Sequence, residues 1–181
     1  MTESTLPKAK KSVALSGTPA GNTALCTVGR SGNDLHYRGY DIHDLATKAG
    51  FEEVAHLLVH GALPTASQLS AYKTKLKRLR GLPAIVTDAL ELVPANAHPM
   101  DVLRTGCSML GVVLPARDGH RWRVARDIAD KLLASFGSMP LYWWHLTRNC
   151  RPIDVENDQD TISGTHSQQL YGERPSSSQS G

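Results

Sequence analysis

The chain has 181 residues, 40% of them apolar and 20% charged, which suits one folded domain and excludes a disordered polar chain. A formal net charge of +3 is too small to imply a nucleic-acid or other polyanion partner. No stretch reaches the roughly 18 uninterrupted apolar residues of a membrane span; "LLASFGSMPLYWWHL" comes nearest and is broken by Gly137 and Pro140.

Residues 1–12 are polar and read as a flexible N-terminus without the apolar run of a signal peptide. "TALCTVG" and "LHYRGYDI", separated by "RSGND", read as two short β-segments around a Gly-Asn-Asp turn. From Asp41 the punctuation becomes helical. Asp41 is placed to cap "IHDLATKAG", with Gly50 closing that helix. A second helix covers Phe51 to His60 and stops at Gly61. In the third, Thr65 and Gln68 have capping-box spacing, and Leu69, Tyr72, Leu76 and Leu79 form an apolar stripe. Pro83 opens a fourth helix, which Pro94 ends. Pro99 stands at the first helical position of "HPMDVLRTGCSMLGVV".

After the polar loop "PARDGHRW", one long helix is expected from about Val124 to about Asn149, kinked at Pro140 and supported by an Asp127–Lys131 pair. An acidic connector, "CRPIDVENDQD", leads to a last short helix in "TISGTHSQQLYG" and a Ser-rich end.

The chemical inventory is thin. His56 and His60 lie four apart, but a zinc-protease pattern needs Glu where Leu57 stands, and no third ligand is near in sequence. The pair therefore reads as a solvated helix face shared with Glu52 and Glu53, and no metal is expected. The run "KTKLKRLR" reads as a solvated basic arc, with anion binding the sharper alternative. In "HPMDVLRTGCSMLG" the polar strip of Asp101, Arg104, Thr105 and Ser108 is too narrow for a surface helix. Val102, Leu103, Gly106, Met109 and Leu110 therefore read as a packed face, in the core or against a partner subunit. Cys26, Cys107 and Cys150 are odd in number and widely spaced, which points away from a disulfide framework and towards the cytoplasm. No phosphate-loop, nucleophile-elbow or dinucleotide motif occurs.

Taken together, "KKSVALSGTPAGNTALCTVG", "SGNDLHYRGYDIHDLA", "FEEVAHLLVHGALPT", "AYKTKLKRLRGLP" and "HPMDVLRTG", in this order, resemble the N-terminal half of the citrate synthase family, and within it the bacterial 2-methylcitrate synthases. The resemblance covers roughly residues 10–164. It implies an all-α fold with a small N-terminal β-hairpin, residues 13–164 forming part of the large domain and residues 165–181 a divergent, disordered tail.

The implied family reaction condenses propionyl-CoA (or acetyl-CoA) with oxaloacetate, giving 2-methylcitrate (or citrate) and CoA, in propionate breakdown or the tricarboxylic acid cycle. The thioester is a substrate, so no cofactor is expected; nor is a nucleic-acid or membrane partner. The implied assembly is a homodimer, with Val102, Leu103, Gly106, Met109 and Leu110 at the interface. Enolisation needs a carboxylate base and two histidines. The family's histidine-bearing motifs, of GxxHGxA and GxGHxVY type, do not occur in these residues. No catalytic role is therefore assigned, and Lys75 and Lys77 are the residues singled out as ligand contacts. The resulting expectation is a truncated acyltransferase, inactive alone, or a non-enzymatic module that pairs with a full-length synthase.

Overall fold

A computed structural model describes residues 23–28, 34–114, 121–157 and 159–171, and of 121–123 the backbone alone. The polar N-terminus, most of the Gly-Asn-Asp turn, most of the polar loop after Leu114 and the Ser-rich end lie outside the described residues.

The expected hairpin is present. Strand β1 (Cys26–Val28) pairs antiparallel with β2 (Leu35–Tyr37), with Cys26 opposite Tyr37 and Val28 opposite Leu35. The segment read as one strand after the turn is split: β3 (Tyr40–Asp41) folds back along β2. Arg38 and Gly39 make that reversal with φ of 46° and 89°, the positive values a two-residue hairpin loop needs. The turn also aims Arg38 away from the sheet, where its Nη2 donates to Leu58 O at 2.8 Å.

Local capping sets most helix starts. Asp41 accepts from His43 N at 2.7 Å and opens α1 (Ile42–Lys48). Gly50 does not close α1, which ends one residue earlier at Ala49 in extended conformation. It is the N-cap of α2 (Phe51–His60), and its N–H donates to Glu53 Oε2 at 2.7 Å. Gly61 ends α2 at φ 99°, which an L side chain adopts only with strain. The Thr65–Gln68 capping box opens α3 (Ala66–Arg78) as expected. Helix α4 (Ala84–Glu91) follows Pro83. Pro99 stands at the start of α5 (Pro99–Val113), capped by His98 Nδ1 accepting from Met100 N.

The single long helix is corrected to two, α6 (Arg121–Ser135) and α7 (Ser138–Asn149), separated at Phe136 and Gly137. Pro140 has no N–H to bond back to residue 136 and its ring would strike that carbonyl. A break before Pro140 puts it in the first turn of α7, where no intrahelical donor is required. The expected Asp127–Lys131 pair is also replaced. Asp127 binds Lys75, while Lys131 Nζ reaches Leu79 O and Gly81 O and caps the end of α3. Helix α8 (Ile162–Tyr171) forms as expected and runs through the first residues of the segment set apart as a tail.

Two apolar clusters hold these elements. In the first, Val86 and Leu90 of α4, Val102 and Leu110 of α5, and Met139, Tyr142 and Trp143 of α7 interlock. Gly106 makes the α5–α7 approach so close that a Cβ there would lie 2.8 Å from Met139 Sδ. Tyr142 Oη donates to Glu91 Oε1, and Trp143 Nε1 to Val93 O, so the buried aromatics keep hydrogen-bond partners. The second cluster joins Ala55 of α2, Tyr72 and Leu76 of α3, and Ala134 of α6. Most of the apolar run 136–146 is thereby covered; Phe136 and Trp144 stay exposed, the latter under the Arg148 guanidinium at 4.6 Å. Among the described residues no helix is long and apolar enough to cross a membrane.

Candidate functional site

The second cluster has a polar floor, and the histidine pair stands on it. The sequence reading gave Glu52, Glu53, His56 and His60 to solvent. In the structure α3 and α6 close over that side of α2: Glu52 is 4% exposed, whereas the apolar Phe51 beside it is 50% exposed. The His56 and His60 rings stack with centroids 4.7 Å apart, and Tyr72 stands edge-on to both at 5.2 and 5.3 Å. His56 Nδ1 lies 2.8 Å from Ala62 O. Glu52 Oε1 accepts from Ile162 N at 2.8 Å, at the start of α8.

Asp130, brought in by α6, is the centre of the group and is fully buried. Its Oδ1 accepts from Tyr72 Oη at 2.8 Å, and its Oδ2 accepts from Lys75 Nζ at 2.7 Å. His60 Nε2 lies 3.2 Å from Oδ2, and Lys75 also reaches Asp127 Oδ1 at 2.7 Å. Burial holds His60 below its ordinary value; the neighbouring His56 and Lys75 charges act the same way, and Asp130 opposes them. Burial and the bond to Asp130 push Tyr72 well up. Burial works against the Lys75 charge, but its bonds to Asp127 and Asp130 outweigh it and raise the lysine.

A His–Asp pair in this setting is poorly placed for proton transfer to a ligand. Both Asp130 oxygens already accept from Tyr72 or Lys75, and Lys75 supplies the compensating charge that a buried carboxylate needs. The arrangement ties α2, α3 and α6 together. Among the described residues no three His, Cys, Asp or Glu side chains are grouped to hold a metal ion.

Of the two lysines singled out from the sequence, Lys75 is thus engaged inside the protein. Lys77 is half-buried and interacts with its surroundings too. Two residues apart on a helix they point about 200° from each other, so the fold does not bring them to one ligand.

Arg80 departs furthest from the solvated-arc reading. It is 1% exposed, with Nη1 donating to Asn157 O and Oδ1 at 3.1 and 3.0 Å and Nη2 to Thr161 O. Burial lowers its affinity for a proton, while Glu52 and Asp160 support its charge. The end of α3 is in this way bolted to the connector before α8. The local cue was the chain break at Gly81–Pro83, which turns the last cation inward; its partners are 77 and 81 residues away.

On α5 the five residues singled out divide by face. Val102, Gly106 and Leu110 are buried inside the chain against α4 and α7, and Leu103 and Met109 are half-buried. Met100, Val112 and Val113 are exposed on the same helix. Its polar strip is internally linked, Arg104 to Asp101 at 3.1 Å and Thr105 Oγ1 to Asp101 O. Cys107 is half-buried, and burial raises its thiol, which suits packing rather than attack.

Comparison with known proteins gives a consistent pattern. A family model described as citrate synthase, C-terminal domain, matches residues 14–180. A 2-methylcitrate synthase of Shewanella oneidensis is 52% identical over 162 residues, covering 90% of this chain and 42% of the relative. 2-Methylcitrate synthase 2 of Corynebacterium glutamicum is 43% identical over 97 residues, 54% of this chain and 25% of the relative. The crystal structure of citrate synthase from Thermotoga maritima superposes with a TM-score of 0.72 at 27% identity, over 90% of this chain and 42% of that one. The chain spans well under half the length of these curated relatives.

Proposed function

The chain belongs to the citrate synthase family, and on that premise we propose that it is the helical scaffold and subunit-contact part of a 2-methylcitrate synthase. The reaction proposed for the whole synthase is condensation of propionyl-CoA with oxaloacetate to 2-methylcitrate and CoA, with acetyl-CoA and citrate as the secondary pair, in the cytoplasm. The observation that carries this reading is the 52% identity, over 90% of the chain, to a protein named for that activity. One solved citrate synthase of similar fold, 20% identical with a TM-score of 0.74, is a ternary complex with carboxymethyl coenzyme A and oxaloacetate.

In the proposed reaction a carboxylate removes the α-proton of the thioester, while histidine donors stabilise the enol and polarise the ketone of oxaloacetate. The described residues contribute rigidity to such a site rather than its proton-transfer groups. His60 and Asp130 are spent on each other and on Lys75 and Tyr72, and the family's histidine motifs do not occur in the sequence. The 181-residue polypeptide by itself is therefore proposed to be without condensing activity. Release of free thiol from propionyl-CoA or acetyl-CoA in the presence of oxaloacetate is the test. Turnover well above the protein-free blank would defeat the proposal.

A second reading, a non-enzymatic module that pairs with an intact synthase or with itself, is favoured by the exposed apolar side chains of Val112 and Val113 at the C-terminal end of α5. Gly106 is unsuitable for testing it, because its substitution strikes Met139 inside the chain. Val112→Glu abolishes co-purification with an intact synthase under this reading; unchanged co-purification would count against it.

A further inference from the structure

His56 and His60 take no part in the proposed chemistry, yet they stack as titratable rings on a helix that several other elements lean on. Helix α2 meets α3 through Tyr72, α6 through Asp130 and the start of α8 through Glu52. Its last turn also holds the hairpin, because Arg38 Nε and Nη2 both donate to Leu58 O. None of these residues belongs to the cluster of α4, α5 and α7, so α2 and the hairpin can loosen while that cluster stays packed.

The partners fix the protons of the neutral rings. The Ala62 carbonyl only accepts, so His56 carries its proton on Nδ1; the Asp130 carboxylate only accepts, so His60 carries its own on Nε2. A further proton on either ring adds a positive charge, and the ring centroids are 4.7 Å apart. Around the pair stand Glu52 on α2, Tyr72 and Lys75 on α3, and Asp127 and Asp130 on α6. Glu52 is turned to Ile162 N and faces Arg80, Asp127 is engaged by Lys75, and Asp130 already accepts from Tyr72 and Lys75. Two protonated rings would thus share one carboxylate that is already engaged. Burial and the charges of His56 and Lys75 all act against the His60 proton. In the hairpin, His36 lies 3.5 Å from Asp34 and 3.8 Å from Asp41, where a proton tightens the contacts instead.

We propose that the His56–His60 stack is a proton-operated latch: in mild acid the two rings charge and repel, and α2 loosens from α3 and α6 together with the hairpin it holds, while α4, α5 and α7 stay packed. The latch goes beyond the condensation reaction and stands whether or not that reading holds, because it uses none of the groups of that chemistry.

The test is amide hydrogen exchange on the full 181-residue protein, read as protection factors so that the pH dependence of the intrinsic rate divides out, beside an NMR titration of the imidazoles. Neither a helix of 10 residues nor a small hairpin is stable once unpacked, so loosening shows as lost protection. Between about pH 7.5 and about pH 5, amides of α2 and the hairpin are expected to lose about five-fold or more of their protection, and those of α5 and α7 less than about two-fold. Gln at position 56 keeps a donor for Ala62 O and at position 60 one for Asp130, so both variants fold. His56→Gln and His60→Gln each reduce the acid loss, and the two together abolish it; His36→Gln leaves it in place. In His56→Gln, His60 takes up its proton about three-fold more readily, the factor that screened repulsion over this separation gives in water. Equal loss of protection in α2, α5 and α7, an acid loss that persists in the double variant, or a His60 titration unmoved by His56→Gln would each overturn the proposal.

Discussion

Replacing Asp130 by Asn exchanges one carboxylate oxygen for an amide nitrogen and removes the negative charge on which Tyr72, Lys75 and His60 converge. Breaking a buried ion pair from one side costs about 3–5 kcal/mol when the partner is stranded. Here Lys75 is not fully stranded: its side chain is 38% exposed and Asp127, 60% exposed, still accepts from it. The charge-assisted bond from Tyr72 becomes a neutral one, losing about half its strength. The new amide N–H₂ must also face either Lys75, which can only donate, or the Tyr72 hydroxyl, which must then turn to accept. We therefore expect a loss nearer about 2–3 kcal/mol, which for a chain of this size lowers Tm by about 4–12 °C. The assay is a circular-dichroism melt of Asp130→Asn beside Asp127→Asn, whose more exposed pair is worth about 0–1 kcal/mol. If the two variants melt together, Asp130 is not the organising group and the reasoning fails.

Other consequences are equally open to measurement. His60 has a folded-state pKa below its ordinary value, so the unfolded chain binds the proton more tightly. Its stabilising contribution is complete at neutral pH and is lost as pH falls below about 6.5, and His60→Gln flattens that part of the stability–pH curve. Tyr72 is raised, so stability is also lost as pH climbs past about 10, where the unfolded phenol ionises and the folded one does not; Tyr72→Phe removes its share of that alkaline limb and leaves the share of Tyr142, which burial and Glu91 also raise. Gly106→Ala gains about 1 kcal/mol of helix propensity but forces a Cβ to within 2.8 Å of Met139 Sδ in a closed core. Net destabilisation of about 1–2 kcal/mol is expected by denaturant titration, and in a Met139→Ala background the same glycine substitution costs less, the coupling being read from the double-mutant cycle. Pro140→Ala costs at most about 1 kcal/mol if Pro140 sits in a first turn, whereas a proline inside a continuous helix would make the same change stabilising by about 3 kcal/mol.

The features legible in the sequence are those whose partners lie within a few residues. Asp41, the Thr65–Gln68 box, Gly61 and Pro99 act on their own helix ends, and the mostly helical fold with its small sheet follows from them and from the apolar periodicity. The family was legible as well, through several separate motifs, and the comparison with known proteins agrees. Pairings across the fold were not legible. Lys131 was assigned to Asp127 because they lie four apart, yet carbonyls some fifty residues earlier outcompete it. Glu52 was given to water by its charge, yet the start of α8, 110 residues on, supplies the N–H that lets it be buried. Helical periodicity says which residues share a face but not which face another helix covers. The polar core around Asp130 and Arg80 therefore could not be read from spacing alone. The α6–α7 division was within reach, because Gly137 three residues before Pro140 favours a stop over a kink.

The sharpest single check follows the imidazole resonances of the 181-residue protein by NMR while propionyl-CoA and oxaloacetate are added together. If His60 and Asp130 serve only to bind α2 to its neighbours, the His56 and His60 signals keep their positions at every substrate concentration. A saturable shift of either ring, appearing with release of CoA thiol, would contradict the assignment of these groups to the scaffold.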